Sequence, residues 1–263
     1  MSLSRRLFLS SFILASLASR ARALDAPGGA VHLIVPGGPS QADGRRLAGL
    51  FFALEPGWKT YWRAPGPVGL APFIEDAGSD NLAGLQVLYP APAAFAEGDT
   101  VSLGYAHPVV FPLVLTPQDP ARPIRLDLRV DYGVCSIQCV PGQVRLQADV
   151  LPFGTRNAEA ARLVARAQAL VPQRHEDIID TARFGDGVLS LRLTEGGDAI
   201  GPLRLAACEH PGLAIAPLLS PQGRDLVFPA RTRRAGPGAA RLRLTLVGVS
   251  GAIDTEYPLD LGS

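Results

Sequence analysis

Cys135 and Cys139 are separated by three residues in Cys135-Ser136-Ile137-Gln138-Cys139. Two thiols at that spacing can interconvert with a disulfide. The chemistry open to them is exchange, in which a thiolate attacks a disulfide sulfur at a rate set by thiolate fraction and access. A structural staple is the weaker reading, because closing a loop of about five residues restricts the unfolded chain by only about 2 kcal/mol, less than a longer loop gives. The third cysteine, Cys208, lies in the apolar run Leu203-Arg204-Leu205-Ala206-Ala207-Cys208 and reads as a core thiol, with dimerisation through a disulfide or a third redox thiol as the alternatives. His32, His107, His175 and His210 are scattered without ligand spacing, and no phosphate loop, nucleophile elbow or H-E-x-x-H occurs. No metal or other cofactor is expected.

The residues flanking the cysteines say what must position them. From Ile124 to Tyr132 even positions are apolar and odd positions charged, and the alternation resumes with Val144, Leu146, Ala148 and Val150 against Arg145, Gln147 and Asp149. Period two marks strands with one buried face, so the two runs predict an antiparallel hairpin with the cysteines at its tip. In an extended chain their Cα atoms would stand about 13 Å apart, whereas a disulfide needs them within about 7 Å; the turn supplies the difference. Carrying the parity through Val134 puts both cysteines on the solvent-facing side, unless Gly133 or Gly142 introduces a bulge. No Lys, Arg or His lies between Tyr132 and Val144, so the pair is expected to become reactive mainly when docked on a partner.

Elsewhere, short alternating runs broken by Pro and Gly predict further strands over 31–35, 47–54, 109–115, 188–193, 203–207, 225–228, 241–247 and 255–261. Asn157 can cap a helix with apolar positions Ala160, Leu163, Val164, Ala167, Leu170 and Val171, closed by Pro172. The expected fold is all-β: an immunoglobulin-like β-sandwich over 26–153, a helical connector over 154–175 and a second β-sandwich over 176–263. Residues 1–23 read as an export signal, with Arg5-Arg6-Leu7-Phe8-Leu9, an apolar stretch and Ala21-Arg22-Ala23. The twin arginine resembles a Tat signal, with Sec export as the alternative, so a periplasmic location is expected. Cleavage leaves twenty-one basic against twenty-four acidic side chains, a net charge of −3. That balance argues against nucleic acid as a partner, and no later apolar run is long enough to span a bilayer.

Four blocks in order carry a resemblance: Glu55-Pro56-Gly57-Trp58-Lys59-Thr60-Tyr61-Trp62-Arg63-Ala64-Pro65-Gly66, Leu88-Tyr89-Pro90-Ala91-Pro92, Gly104-Tyr105, and Tyr132-Gly133-Val134-Cys135 through Cys139-Val140-Pro141-Gly142. Over roughly residues 28–152 the chain resembles the amino-terminal periplasmic domain of DsbD and ScsB-type thiol:disulfide interchange proteins. The resemblance implies an immunoglobulin-like domain that relays electrons from a membrane donor to periplasmic thioredoxin-like proteins through a Cys135/Cys139 dithiol. It implies that Cys139 forms the mixed disulfides and Cys135 resolves them. The chain carries neither the membrane-embedded nor the thioredoxin domain of full-length DsbD, so a separate donor, CcdA-like, is expected. Tyr105 aligns with the region that caps the cysteines in the family, although the family's aromatic cap pair is not reproduced. Trp58, Tyr61 and Trp62 read either as core filling or as a wall or docking surface beside the dithiol.

Two other readings remain open at this stage. C-x-x-x-C followed by proline also resembles Sco-type copper chaperones, in which thiolates and a histidine, here His107, would hold Cu(I); the strands flanking both cysteines and the absence of Met after residue 1 argue against it. The other is a non-catalytic sandwich used for interaction.

Overall fold

The computed structural model describes residues 27–38, 40–233, 241–259 and 261; the export signal read over 1–23 lies outside them. Among the described residues ten strands precede the helix: β1 (Gly29–Ile34), β2 (Arg46–Leu54), β3 (Lys59–Tyr61), β4 (Phe73–Asp76), β5 (Leu82–Val87), β6 (Ala93–Glu97), β7 (Thr100–Tyr105), β8 (Val109–Pro117), β9 (Ile124–Cys135) and β10 (Cys139–Val150). They form two sheets, β1-β2-β8-β5 and β10-β9-β3-β7-β6, with β4 also paired to β9. The facing sides bury one apolar cluster that includes Phe52, Phe111, Leu126, Leu128, Val130 and Leu146. Phe52 packs 4.8 Å from Phe111 and edge-on to Tyr132. This is the sandwich that the alternating runs predicted, with each inward residue contributing apolar area removed from water.

The β9–β10 hairpin follows the sequence parity. Its register runs without a shift from Ile124↔Val150 to Cys135↔Cys139, and Val130 stands opposite Val144. Neither Gly133 nor Gly142 forms a bulge. Both serve close approach instead: a Cβ on Gly142 would come within 2.6 Å of the Tyr132 ring, and one on Gly133 within 2.6 Å of the Leu70 side chain.

Asn157 caps the helix α1 (Ala158–Ala169), its side chain accepting from the Ala160 N–H at 3.1 Å. Val164 and Ala167 pack on Val110, flanked by Ile34, Leu47 and Phe51, so the connector is docked on the outside of the β2–β8 pair and is not a free spacer. Leu170, counted from spacing as part of the apolar face, forms the C-cap and is exposed.

Nine strands follow among the described residues: β11 (Gln173–Arg174), β12 (Ile179–Gly185), β13 (Val188–Leu193), β14 (Leu203–Glu209), β15 (Leu213–Ile215), β16 (Leu218–Leu219), β17 (Asp225–Thr232), β18 (Arg241–Gly248) and β19 (Ala252–Pro258). They form sheets β11-β19-β18-β14-β16 and β12-β13-β17-β15 around a second core. β14 is buried on both sides. Leu205 and Ala207 join the first core, whereas Ala206 and Cys208 join the second. Cys208 is thus a buried free thiol, and burial pushes its pKa well above the ordinary range.

A polar clamp crosses between the two sandwiches at Arg63. Its guanidinium donates to Glu209 at 2.8 Å, to Thr245 Oγ1 at 2.8 Å and to Asp254 at 3.1 Å, and it lies 4.0 Å over the Trp62 ring. Three consecutive residues therefore face three ways: Tyr61 toward the cysteines, Trp62 into the first core and Arg63 onto the second sandwich.

Candidate functional site

The hairpin register sets Cys135 opposite Cys139, with Cα atoms 4.1 Å apart, and the two are joined in a disulfide. The sulfurs differ in access. Cys139 is exposed, but Cys135 is only 1 % exposed, which corrects the expectation that both thiols face solvent. Parity does put Cys135 on the outer face of its sheet. That face, however, is covered locally by Tyr61 from β3 and by the segment of residues 65–71, whose Leu70 side chain rests on Gly133 and whose Gly69 lies against the Tyr61 ring.

The Tyr61 hydroxyl lies 2.7 Å from Cys135 Sγ and 3.1 Å from Cys139 Sγ. A disulfide sulfur carries no proton, so the phenol is the donor. Burial, and behind it the charge of Glu97, raise the Tyr61 pKa above the ordinary phenol value, so the donor keeps its proton at neutral pH. The bond to a neutral sulfur is weak, but the same O–H aimed at a thiolate is charge-assisted. Tyr61→Phe should therefore raise the pKa of the reduced pair by about one unit, the equivalent of a hydrogen bond to a charged group. It should slow exchange at neutral pH while leaving the urea midpoint of the oxidised protein almost unchanged. An unchanged thiol titration curve would exclude this role.

The other rings lie elsewhere. Tyr105 is paired with Thr60, which is paired in turn with Val134, so alternation directs it to the core side. It packs 5.4 Å from Phe111, and its hydroxyl donates to the Pro90 carbonyl at 2.7 Å. The ring beside the sulfurs is Tyr61 and not Tyr105, because residue 105 falls on the opposite face of the sheet. Trp62 is fully buried in the first core, and Trp58 is partly buried against it, with Gly28 close on its indole.

Several contributors carried no signal in the sequence. Lys59 stands directly across from Cys135 in the β3–β9 register, so a cation does neighbour the dithiol, supplied by another strand. Its ammonium is ion-paired with Glu97, which also accepts from Ser102 Oγ at 2.9 Å. The Lys59 bond holds the Glu97 carboxyl below the usual range. Exposed apolar side chains lie at the tip and beside it: Ile137 is fully exposed between the cysteines, and Val68, Leu70 and Phe73 are about half exposed on or just after the covering segment. Farther along, residues Arg63 to Ala71 form one wall of a cleft of about 680 Å³ whose other wall comes from the second sandwich, including Cys208 and Leu213–Pro217. Among the described residues, no cluster of three or more His, Cys, Asp or Glu side chains is arranged to hold a metal ion, and no helix is long and apolar enough to cross a membrane.

Comparison with known proteins adds to this geometry. Residues 35–151 match the family described as thiol:disulfide interchange protein DsbD, N-terminal. Among solved structures, the N-terminal periplasmic domain of ScsB from Proteus mirabilis is similar at 21 % identity and a TM-score of 0.65, over 92 % of this chain and 98 % of that one. That likeness shows the fold across both sandwiches. The YadV chaperone is also matched, at 10 % identity over 87 % of this chain and 99 % of that one, with a TM-score of 0.23, too low to carry an argument. No curated protein matches the chain. The first sandwich, with Cys135 and Cys139 paired at its hairpin tip, is thus similar over residues 35–151 to the DsbD amino-terminal family of thiol:disulfide interchange proteins.

Proposed function

We propose that this protein is a periplasmic thiol–disulfide exchange relay that carries two electrons at a time on the Cys135/Cys139 pair. It takes them from a separate membrane donor, CcdA-like in kind, and passes them to thioredoxin-like proteins. One observation supports this reading above the others: an exposed sulfur, Cys139, is joined to a shielded one, Cys135, at a tip with exposed apolar side chains on it and beside it. A partner can reach only one of the two sulfurs, and those side chains offer it apolar surface to bury.

The steps balance as follows. A donor thiolate forms a bond to Cys139 Sγ, the Cys135–Cys139 bond breaks, and the electron pair leaves on Cys135 Sγ. A second donor thiolate then attacks the donor sulfur of the mixed disulfide and releases Cys139; the donor keeps the disulfide and this chain the two electrons. Toward a client the order reverses: Cys139 attacks the client disulfide, and Cys135 attacks Cys139 Sγ to release the reduced client. Export through the Tat-like or Sec signal would bring the chain to its partners, and the second sandwich serves as a spacer or docking support.

The test is direct. The reduced full chain is mixed with an oxidised periplasmic thioredoxin-like protein, and the redox state of both is followed by alkylation gel shift. Disulfide appearing on this chain as it disappears from the partner is the expected result. Tight stoichiometric Cu(I) binding without transfer would point to metal delivery, and neither activity would leave an interaction module; either outcome sinks the relay.

A further inference from the structure

Lys59 and Cys135 share the outer face of their sheet, because they are direct partners across β3 and β9. Such partners have Cβ atoms about 4.5–5.5 Å apart, a gap that a four-carbon lysine stem can easily bridge. In the oxidised protein the ammonium points the other way. It is paired with Glu97 and lies 5.5 Å from the Phe95 ring centroid. Between these positions the same face carries Gly104, which has no side chain, and its partner Tyr61, alongside whose ring the stem must pass to reach the sulfur. The lysine side chain is 17 % exposed and that of Glu97 28 % exposed, so the pair is shielded enough for its charges to matter yet not locked in a core. The other charged groups of this face along the hairpin are occupied with one another: Arg129 pairs with Glu75 at 3.0 Å and with Asp131 at 3.3 Å.

A disulfide is neutral and gives the ammonium no reason to leave Glu97. Reduction changes that, because the electron pair left on Cys135 Sγ is a negative charge at a shielded site whose cross-strand neighbour on the β3 side is Lys59, beside the Tyr61 hydroxyl. We propose that Lys59 is a two-position charge partner, bound to Glu97 while the disulfide is closed and transferred to the Cys135 thiolate when it opens. No proton has to move. As the donor thiolate bonds to Cys139 Sγ and the S–S bond breaks, the ammonium supplies the counter-charge. When Cys135 attacks a mixed disulfide and the client sulfur departs with the electron pair, the cation returns to Glu97. Glu97 thereby sets how strongly the thiolate is favoured, since carboxylate and thiolate compete for one cation. This inference deepens the relay reading and rests on it for its purpose.

The experiment needs no partner protein, so its failure is distinct from failure of the relay. The reduced full chain, labelled with ¹³C at cysteine Cβ, is titrated by NMR. Lys59→Met should raise the Cys135 pKa by about one unit, and Glu97→Gln should lower it by a similar amount. Opposite shifts support the exchange of partners. A Cys135 pKa that ignores Lys59→Met, or that moves in the same direction in both variants, overturns it. If Lys59→Met does not fold, Glu97→Gln decides alone, and an unchanged or raised thiol pKa in that variant is the overturning result.

Discussion

Cys139→Ser should abolish electron transfer to the level of a protein-free control, whereas Cys135→Ala should stop turnover but accumulate a covalent complex with the partner. The two cysteines are neighbours in one register pair, so the different outcomes follow from access alone. Cys139 is the sulfur a partner can reach; Cys135 is 1 % exposed beneath Tyr61 and the segment of residues 65–71. Without Cys135, the mixed disulfide on Cys139 has no nearby thiolate to resolve it and persists. Non-reducing gels and intact-mass measurement of the two variants, each mixed with a thioredoxin-like protein, read the result. If Cys135 forms the trapped complex and Cys139 does not, the order of attack assigned here is reversed.

Arg63→Met should uncouple the two sandwiches. The guanidinium is 10 % exposed and is shared among Glu209, Thr245 and Asp254. Asp254 keeps Arg243 when Arg63 is removed, but Glu209 loses its partner at the interface. Charged hydrogen bonds of this kind contribute about 1.5–3 kcal/mol each, less for the more exposed Glu209 arm, so a loss of about 2–3 kcal/mol is expected. In urea the wild-type chain should unfold in one transition and the variant in two, with the second sandwich melting first. A single transition at the wild-type midpoint would show that Leu205 and Ala207 hold the interface without the clamp.

The hairpin, its register and the capped helix were legible because each is a local pattern. Nine alternating residues, Ile124 to Tyr132, specify a strand and its inner face, and Asn157 specifies a cap, whatever surrounds them. The burial of Cys208 was legible too, since Leu205 to Cys208 is an uninterrupted apolar run, but the run does not say that β14 serves two cores. The state of the dithiol was not. Parity says which face a residue occupies but not what another part of the chain lays over that face, and the cover on Cys135 comes from Tyr61 and Leu70. β3 is three residues long, too short to show a period, so Lys59, Tyr61 and Arg63 read as a turn-rich aromatic patch instead of a strand facing alternately outward and inward. For the same reason the sequence reads Tyr105 as a cap and leaves Tyr61 between core and wall, because the face of a side chain depends on a strand pairing that no local window contains.

The ladder of the β9–β10 hairpin ends on the cysteines themselves, with Val134↔Val140 as the pair before them. Breaking the S–S bond therefore removes one covalent link and leaves the neighbouring backbone pairs to hold both sulfurs in place. The small gain from closing so short a loop acquires a meaning here. Neither redox state is strongly favoured by chain ordering, and each can be entered from the other with little reorganisation. A dithiol held this way is a terminal rather than a hinge: the ladder beneath it, and not the bond between the sulfurs, sets where they stand.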